Sequence, residues 1–338
     1  MRLQFYLNRS PFSMDTTTGG QPVSTNGLVV EIWIITAKYI PPVIMSFGLV
    51  GNVLSVAVMQ RPNYAKSSLW VYLRYLAMCD IGFVLVQFER CIIHYYPSMR
   101  ETFGTFFCKQ YYYMALVSAV STCFGVVLMT VDRFVAVTWP LRASYWCTRK
   151  RAIITCAVNS ITVLTLCSPQ LKRVMLDDVN LPDRERCNLT PKWLEEALYI
   201  VFNIGLIASP LVTSALNVGI VLVIRKSRRQ RHKMAATREH QQDNQMNVIL
   251  LVISTSFCIC IWPYTIDWIA FSFFIPLDSL PQLLLRRMSY DIILMMATCN
   301  SSLNFYLYCF SSKTIRNNLR EMFWFHWKTC YKMRTVDS

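Results

Sequence analysis

Residues 115–141 read ALVSAVSTCFGVVLMTVDRFVAVTWPL. No charged residue stands between Ala115 and Val131, and the run closes on the pair Asp132-Arg133. Extended back to Cys108, the block covers residues 108–134. An α-helix of that length crosses a hydrocarbon core of about 30 Å. The apolar positions are continuous instead of recurring every three or four residues, which excludes the one-sided helix of a soluble domain.

Working outward, six further blocks of the same kind occupy about 33–59, 69–93, 151–170, 195–224, 246–274 and 288–310. Over half the chain (54%) is hydrophobic and only 16% is charged, so these blocks can be filled without borrowing polar residues from the connections. A membrane β-barrel would need alternating strands of about 10 residues, and none is found. The expected fold is an all-α membrane protein, a seven-transmembrane helix bundle over 33–310. An N-terminal segment (1–32) precedes it and a cytoplasmic tail (311–338) follows.

Charge sign orients the bundle. With the N-terminus outside, the inner stretches carry 20 Lys/Arg against 5 Asp/Glu, while the outer stretches carry 13 of each. Basic residues held on the cytoplasmic side are the usual determinant of topology. They lie in short connections between spans, which argues against a nucleic-acid partner and for contact with anionic membrane lipid. Residues 1–28 have no apolar core, so no cleavable signal is expected. The glycosylation sequons at Asn8 and Asn188 both fall on the expected outer side.

Most of the 13 cysteines lie within spans. Cys108, at the head of the third span, and Cys187, in the long loop after the fourth, lie outside in an oxidising setting and are candidates for a disulfide, with Cys91 as a competing partner. The four histidines are scattered over different ends, which argues against a transition-metal site. No metalloprotease helix, nucleophile elbow or phosphate loop occurs, so an enzyme is not expected.

Asp80 sits mid-span in the second block, where a carboxylate needs a partner or a proton. Asn52, Thr122, Asn300, Ser301 and Asn304 on other spans offer oxygen ligands. This set suits a sodium ion, an inert hydrogen-bond cluster or a cation path; no other cofactor is expected.

Several stretches resemble the rhodopsin-class G-protein-coupled receptors in order and spacing. They are Gly51-Asn52-Val53, Leu76-Ala77 with Asp80, Cys108, and Asp132-Arg133-Phe134 followed by Trp139-Pro140-Leu141. Pro210, then Phe257, Cys260 and Pro263, and finally Asn304 and Tyr308 complete the series. The resemblance runs from about residue 36 to 325. Arg61-Pro62-Asn63 with Ser67-Ser68 is loosely similar to invertebrate neuropeptide receptors of the FMRFamide type. The resemblance implies a multi-pass plasma-membrane receptor in which Asp132 and Asp243 restrain Arg133 until the sixth span swings outward. Arg133 then meets a heterotrimeric G protein, and Phe134, Pro140, Leu141, Asn304 and Tyr308 complete the implied set of coupling and switch residues. Arrestin is a further implied partner, although the tail offers few hydroxyls (Thr314, Thr329, Thr335, Ser338).

The chain departs from the family pattern at four places. Ile261 stands where the span-six tryptophan belongs and Trp262 follows it, about 100° further round the helix. Phe305 replaces the span-seven proline, Val218 a span-five tyrosine, and Asn159 a span-four tryptophan. Altered switching, with Phe257, Ile261, Trp262 and Pro263 as its core, is therefore expected. Lys313–Phe325 reads as an amphipathic helix on the membrane surface, with Cys330 beyond it as a lipidation candidate.

Ala115 replaces the aspartate of amine receptors, and Thr298 replaces the retinal-binding lysine of opsins. Candidate ligand contacts are Gln87, Glu89, Arg90 and His94, then Tyr111, Tyr112 and Ala115, then Tyr264, Asp267 and Trp268, and finally Arg287 and Asp291. Mixed charge with aromatics suits an extracellular peptide. A small molecule or lipid at the same fold, and a cation transporter or channel, are the competing readings.

Overall fold

A computed structural model of the protein describes residues 25–61, 67–95, 104–175, 187–189, 192–231, 238–275 and 280–334. Among the described residues, seven helices are long and apolar enough to cross a membrane. In chain order they are Thr25–Met59, Ser68–Tyr95, Gly104–Thr138, Arg149–Cys167, Lys192–Arg231, Arg238–Ile269 and Leu280–Ser311. They are called spans one to seven below. A loop helix, Pro140–Trp146, joins spans three and four, and a tail helix, Lys313–Arg334, follows span seven.

Span three is the central column and packs against spans two, four and five, while span seven closes against one, two and six. Lipid cannot satisfy backbone amides, so every described crossing is helical. The irregular pieces lie beyond the crossings. A three-to-ten turn, Ser168–Lys172, ends span four, and a π-helical turn, Ala270–Phe274, ends span six. Two short antiparallel strands, Arg173–Met175 and Cys187–Leu189, then form a hairpin with Met175 opposite Cys187. The hairpin lies over one end of span three, and that end is called the hairpin end; the other carries Arg133.

Large apolar side chains point both ways. Leu69, Leu73, Leu76, Met129, Ile249, Leu250, Phe257 and Tyr308 are buried in one continuous core. Phe47, Val50, Leu222, Ile259 and Ile266 are exposed on the outer faces, as a bilayer solvent requires. Spans one and seven approach closely at two glycines. A Cβ on Gly48 would sit 2.9 Å from the Ser302 Cα, and one on Gly51 would sit 3.0 Å from the Phe305 Cβ. Phe305, in place of the family's proline, is buried against this glycine face, and span seven runs through it as unbroken helix.

Three expected boundaries change. Span one begins at Thr25, ahead of the expected 33. The basic 225–245 loop is mostly helix, because span five continues to Arg231 and span six starts at Arg238. The tail helix continues past Phe325 to Arg334. At the inner ends of spans five and six and in the tail, charged residues prolong a helix beyond its apolar part, and hydropathy does not register that extension; ahead of span one the added residues carry a single charge, Glu31.

Candidate functional site

At mid-bundle, Asp80 is fully buried. Asn304 donates its amide to one carboxylate oxygen at 2.7 Å, and the Thr122 hydroxyl approaches the other at 3.4 Å. Ser301 is a third partner. Asn52 donates to the Ser301 carbonyl at 2.8 Å. Five of the six expected residues therefore form one cluster; Asn300 is buried too but makes none of these bonds. The Asn52 Oδ1, Ser302 Oγ and Tyr308 hydroxyl are buried without partners among the described residues. The centre thus presents one carboxylate, several hard oxygens and unspent hydrogen-bonding capacity, a donor set that fits a small hard cation.

The Arg133 end is a closed triangle. Arg133 donates to Asp132 Oδ2 from Nε at 3.1 Å and from Nη2 at 2.7 Å. Nη2 also donates to Ser68 Oγ at 2.6 Å, and Ser68 donates to the same carboxylate oxygen at 2.8 Å. Both charged side chains are only 8% exposed. Cys147, just before span four, donates its thiol to the Asp132 carbonyl at 3.2 Å. Burial, reinforced by the Asp132 carboxylate, pushes that thiol up to about 11, so it stays a donor near neutral pH. Nothing in the sequence marks Ser68 or Cys147 as a site residue. Both are short polar side chains close to a span end, a position common to many inert residues. Asp243 lies in span six, but its side chain is outside the described residues. Leu141, on the loop helix, is 93% exposed, and Pro140 beside it is exposed as well.

Between these levels the departures find partners. Trp262 turns towards span five, its indole N–H 3.5 Å from Ser214 Oγ, and Ser214 bonds Cys258 on span six. Ile261 and Trp262 both pack half-buried against the core that holds Phe257. Ser254 donates to Asn217 at 2.9 Å, a second polar link between spans five and six. Asn159 donates to the Tyr75 hydroxyl at 2.8 Å and so ties span four to span two. Val218 faces outward.

The hairpin end is charged and less complete. Arg90 on span two and Arg287 on span seven share Asp291, at 3.3 and 3.4 Å. Arg90 also lies over the Tyr290 ring. Arg286 pairs with Asp267 of span six and lies over the Phe271 ring; its Nε is buried without a partner among the described residues. Arg287 is the expected ligand contact of the two, but it is Arg286 that pairs with span six. The two adjacent arginines differ by about 100° on the helix, and nothing local says which one faces span six. Glu89 accepts from Gln110 at 3.3 Å, and its second oxygen is buried without a partner among the described residues. Tyr264 donates to Asn203 at 2.9 Å. Tyr111 and Tyr112 pack edge to face, as do Trp268 and Phe273. Gln87 is buried and Ala115 half-buried. The side chains of His94, Cys108, Cys187, Asn188 and Cys330, and all of Asn8, lie outside the described residues, while Cys91 is a free thiol.

The family model of the seven-transmembrane receptors (rhodopsin family) matches residues 51–308. Among curated proteins the chain is 25% identical to somatostatin receptor type 5 of Rattus norvegicus, over 82% of this chain and 75% of that one. It is 24% identical to neuropeptides B/W receptor type 2 of Homo sapiens, over 92% of both chains. It is also 24% identical to cysteinyl leukotriene receptor 2 of Sus scrofa, over 82% of this chain and 79% of the relative.

Proposed function

The chain belongs to the rhodopsin family of seven-transmembrane receptors, and from that premise we propose that it binds an extracellular peptide at the hairpin end and activates a heterotrimeric G protein at the Arg133 end. It is a G-protein-coupled receptor and not an enzyme. The orientation is the one favoured by charge: N-terminus outside, Arg133 inside, in the plasma membrane. The carrying observation is the sealed Arg133–Asp132–Ser68 triangle. A permanently charged guanidinium turned away from solvent by groups that can re-solvate is a two-state element. In the sealed state it offers nothing to a partner. Movement of span six past Pro263 opens the inner cleft, frees Arg133, and leaves Leu141 as a second contact for the G protein.

The peptide reading rests on the charged and aromatic rim of Arg90, Tyr111, Tyr112, Tyr264, Asp267 and Asp291, and on relatives named for somatostatin and neuropeptides B/W. Similarity to a cysteinyl leukotriene receptor supports a second reading, a leukotriene-type lipid ligand. The Asp80 cluster would hold sodium through Asp80, Thr122, Ser301 and Asn304, with Asn52 behind them. The ion would supply a counter-charge that steadies the resting packing of spans two, three and seven. Arrestin and bilayer lipid are further partners, the latter along the tail helix.

The test is a screen of neuropeptides and of lipids against cells expressing the chain, read by calcium and cyclic AMP. Responses to peptides alone support the first reading, and responses to lipids alone replace it. Asp80→Asn is expected to abolish sodium sensitivity of agonist binding. A wild-type receptor indifferent to sodium removes the ion from the account.

A further inference from the structure

Phe305 stands in span seven where the family has a proline, and Tyr306 follows it. A proline would lack the N–H that closes onto the carbonyl four residues back, and it would kink the helix. With Phe305 the helix Leu280–Ser311 runs on unbroken. The carbonyl four residues back belongs to Ser301, and it also accepts the Asn52 amide of span one at 2.8 Å. A carbonyl oxygen has two lone pairs, so this one serves its own helix and the neighbouring span together.

Tyr306 fastens the same two spans at a second point. Its hydroxyl donates to the Phe47 carbonyl of span one at 3.1 Å. Its ring lies against Gly51, where a Cβ would come within 3.3 Å of the Tyr306 Cε2 and 3.0 Å of the Phe305 Cβ. The Phe305 and Tyr306 rings pack edge to face beside that glycine. One turn earlier, Gly48 brings the span-one backbone against Ser302. The contact is a matched strip: counted from Phe47 and from Ser301, positions i, i+1, i+4 and i+5 of each span meet the other. Small residues on one side and aromatic rings on the other let the backbones approach this closely.

We infer that Phe305 and Tyr306 clasp span seven to span one, and that the Arg133 end of span seven is a fixed post against which span six moves. The movement rests on the receptor reading proposed above; the clasp belongs to the resting structure and does not. Tyr306 is 37% exposed, and the exposed surface of a membrane span faces hydrocarbon, which offers a hydroxyl no other acceptor. Opening the Tyr306 bond there strands a polar group, so the clasp resists opening. The Arg133 triangle lies close to the end of its span, where water can take over each bond. Asn304, beside Phe305, donates to Asp80 and ties span seven to span two as well. The pair that joins spans six and seven, Arg286 with Asp267, lies at the hairpin end and does not hold the Arg133 end. Span six is therefore the neighbour free to swing, and Tyr308, on the same unbroken helix, stays in place as a wall of the core.

The test is hydrogen–deuterium exchange of the purified full-length receptor, read by mass spectrometry. Tyr306→Phe removes the hydroxyl alone. Exchange over residues 47–52 and 301–308 is expected to rise about fivefold, the equivalent of one net hydrogen bond, with spans three and four unchanged. Phe305→Pro should raise exchange over 301–308 further, because the helical N–H goes too. Asp132→Asn, which frees Arg133, should speed exchange at the Arg133 end of span six, residues 247–254, and leave 301–308 as in the wild type. A Tyr306→Phe receptor that exchanges like the wild type, or that loosens every span alike, would overturn the clasp. Equal loosening of spans six and seven in Asp132→Asn would overturn the fixed post. If Asp132→Asn loosened neither span, the Arg133 switch itself would fail, and the clasp would still stand or fall on Tyr306→Phe.

Discussion

The two ends of the bundle use the same side-chain chemistry to opposite effect. At the Arg133 end one guanidinium, one carboxylate and one hydroxyl satisfy one another around a single oxygen, Asp132 Oδ2. At the hairpin end three arginines and two aspartates form two groups that, among the described residues, leave atoms over, the Arg286 Nε and, nearby, the second oxygen of Glu89. A saturated set is a latch: it is indifferent to small molecules and opens only when a helix moves. An unsaturated buried set costs free energy as it stands, and a ligand that supplies the missing partners recovers it. The difference therefore separates the end that responds from the end that reports.

The largest expected effect lies at the hairpin end. Asp267→Asn leaves the Arg286 side chain, 7% exposed, without its anion. Removing one partner of a buried ion pair costs about 3–5 kcal/mol. A strong fall in the melting temperature of the purified receptor and in surface expression is expected. Asp267→Asn combined with Arg286→Leu should recover much of it, because the stranded charge goes too. A single variant as stable as the wild type would show that Arg286 finds its counter-charge elsewhere.

The next effects test the latch. Asp132→Asn removes the charge that three donors share, and hydrogen bonds to charged groups contribute about 1.5–3 kcal/mol. Ligand-free nucleotide exchange on a G protein should rise about tenfold, the equivalent of 1.4 kcal/mol in the resting equilibrium. Ser68→Ala removes only the bridging hydroxyl, and a rise of about fivefold is expected, since a typical net hydrogen bond is about 1 kcal/mol. Equal rises would make Ser68 a full member of the latch. An unchanged Ser68→Ala would reduce it to a spectator.

The same contrast explains what could be read from the sequence. The spans were legible because lipid tolerates only long apolar helices, and Asp80 because a carboxylate in hydrocarbon requires a reason. Asn304 and Thr122 followed as its partners because few other polar groups share that depth. The paired charges were only half legible. Asp132 and Arg133 are neighbours in sequence, but Ser68 reaches them from another span, and the choice of Arg286 over Arg287 by Asp267 depends on the rotation of span seven against span six. Likewise the shifted Trp262 could be seen to have turned, yet its partner Ser214 depends on the register between two antiparallel helices. Depth in the membrane is written in composition; rotation and register are set by packing.

The smallest expected effect turns Cys147 into a reporter of the latch. Burial is the larger cause of its raised pKa and the Asp132 carboxylate the second, while Arg133 pulls the other way. With the thiol pushed up to about 11, little thiolate exists at mildly alkaline pH, and alkylation mapped to Cys147 should be slow. Asp132→Asn removes a cause that raises the pKa and leaves Arg133 to lower it, so the thiolate fraction and the alkylation rate should both increase. Ser68→Ala keeps the carboxylate and should leave the rate close to that of the wild type. If the two variants label alike, exposure of the loop and not the carboxylate governs Cys147, and the thiol then reports movement of the loop helix instead of the charge state of the latch.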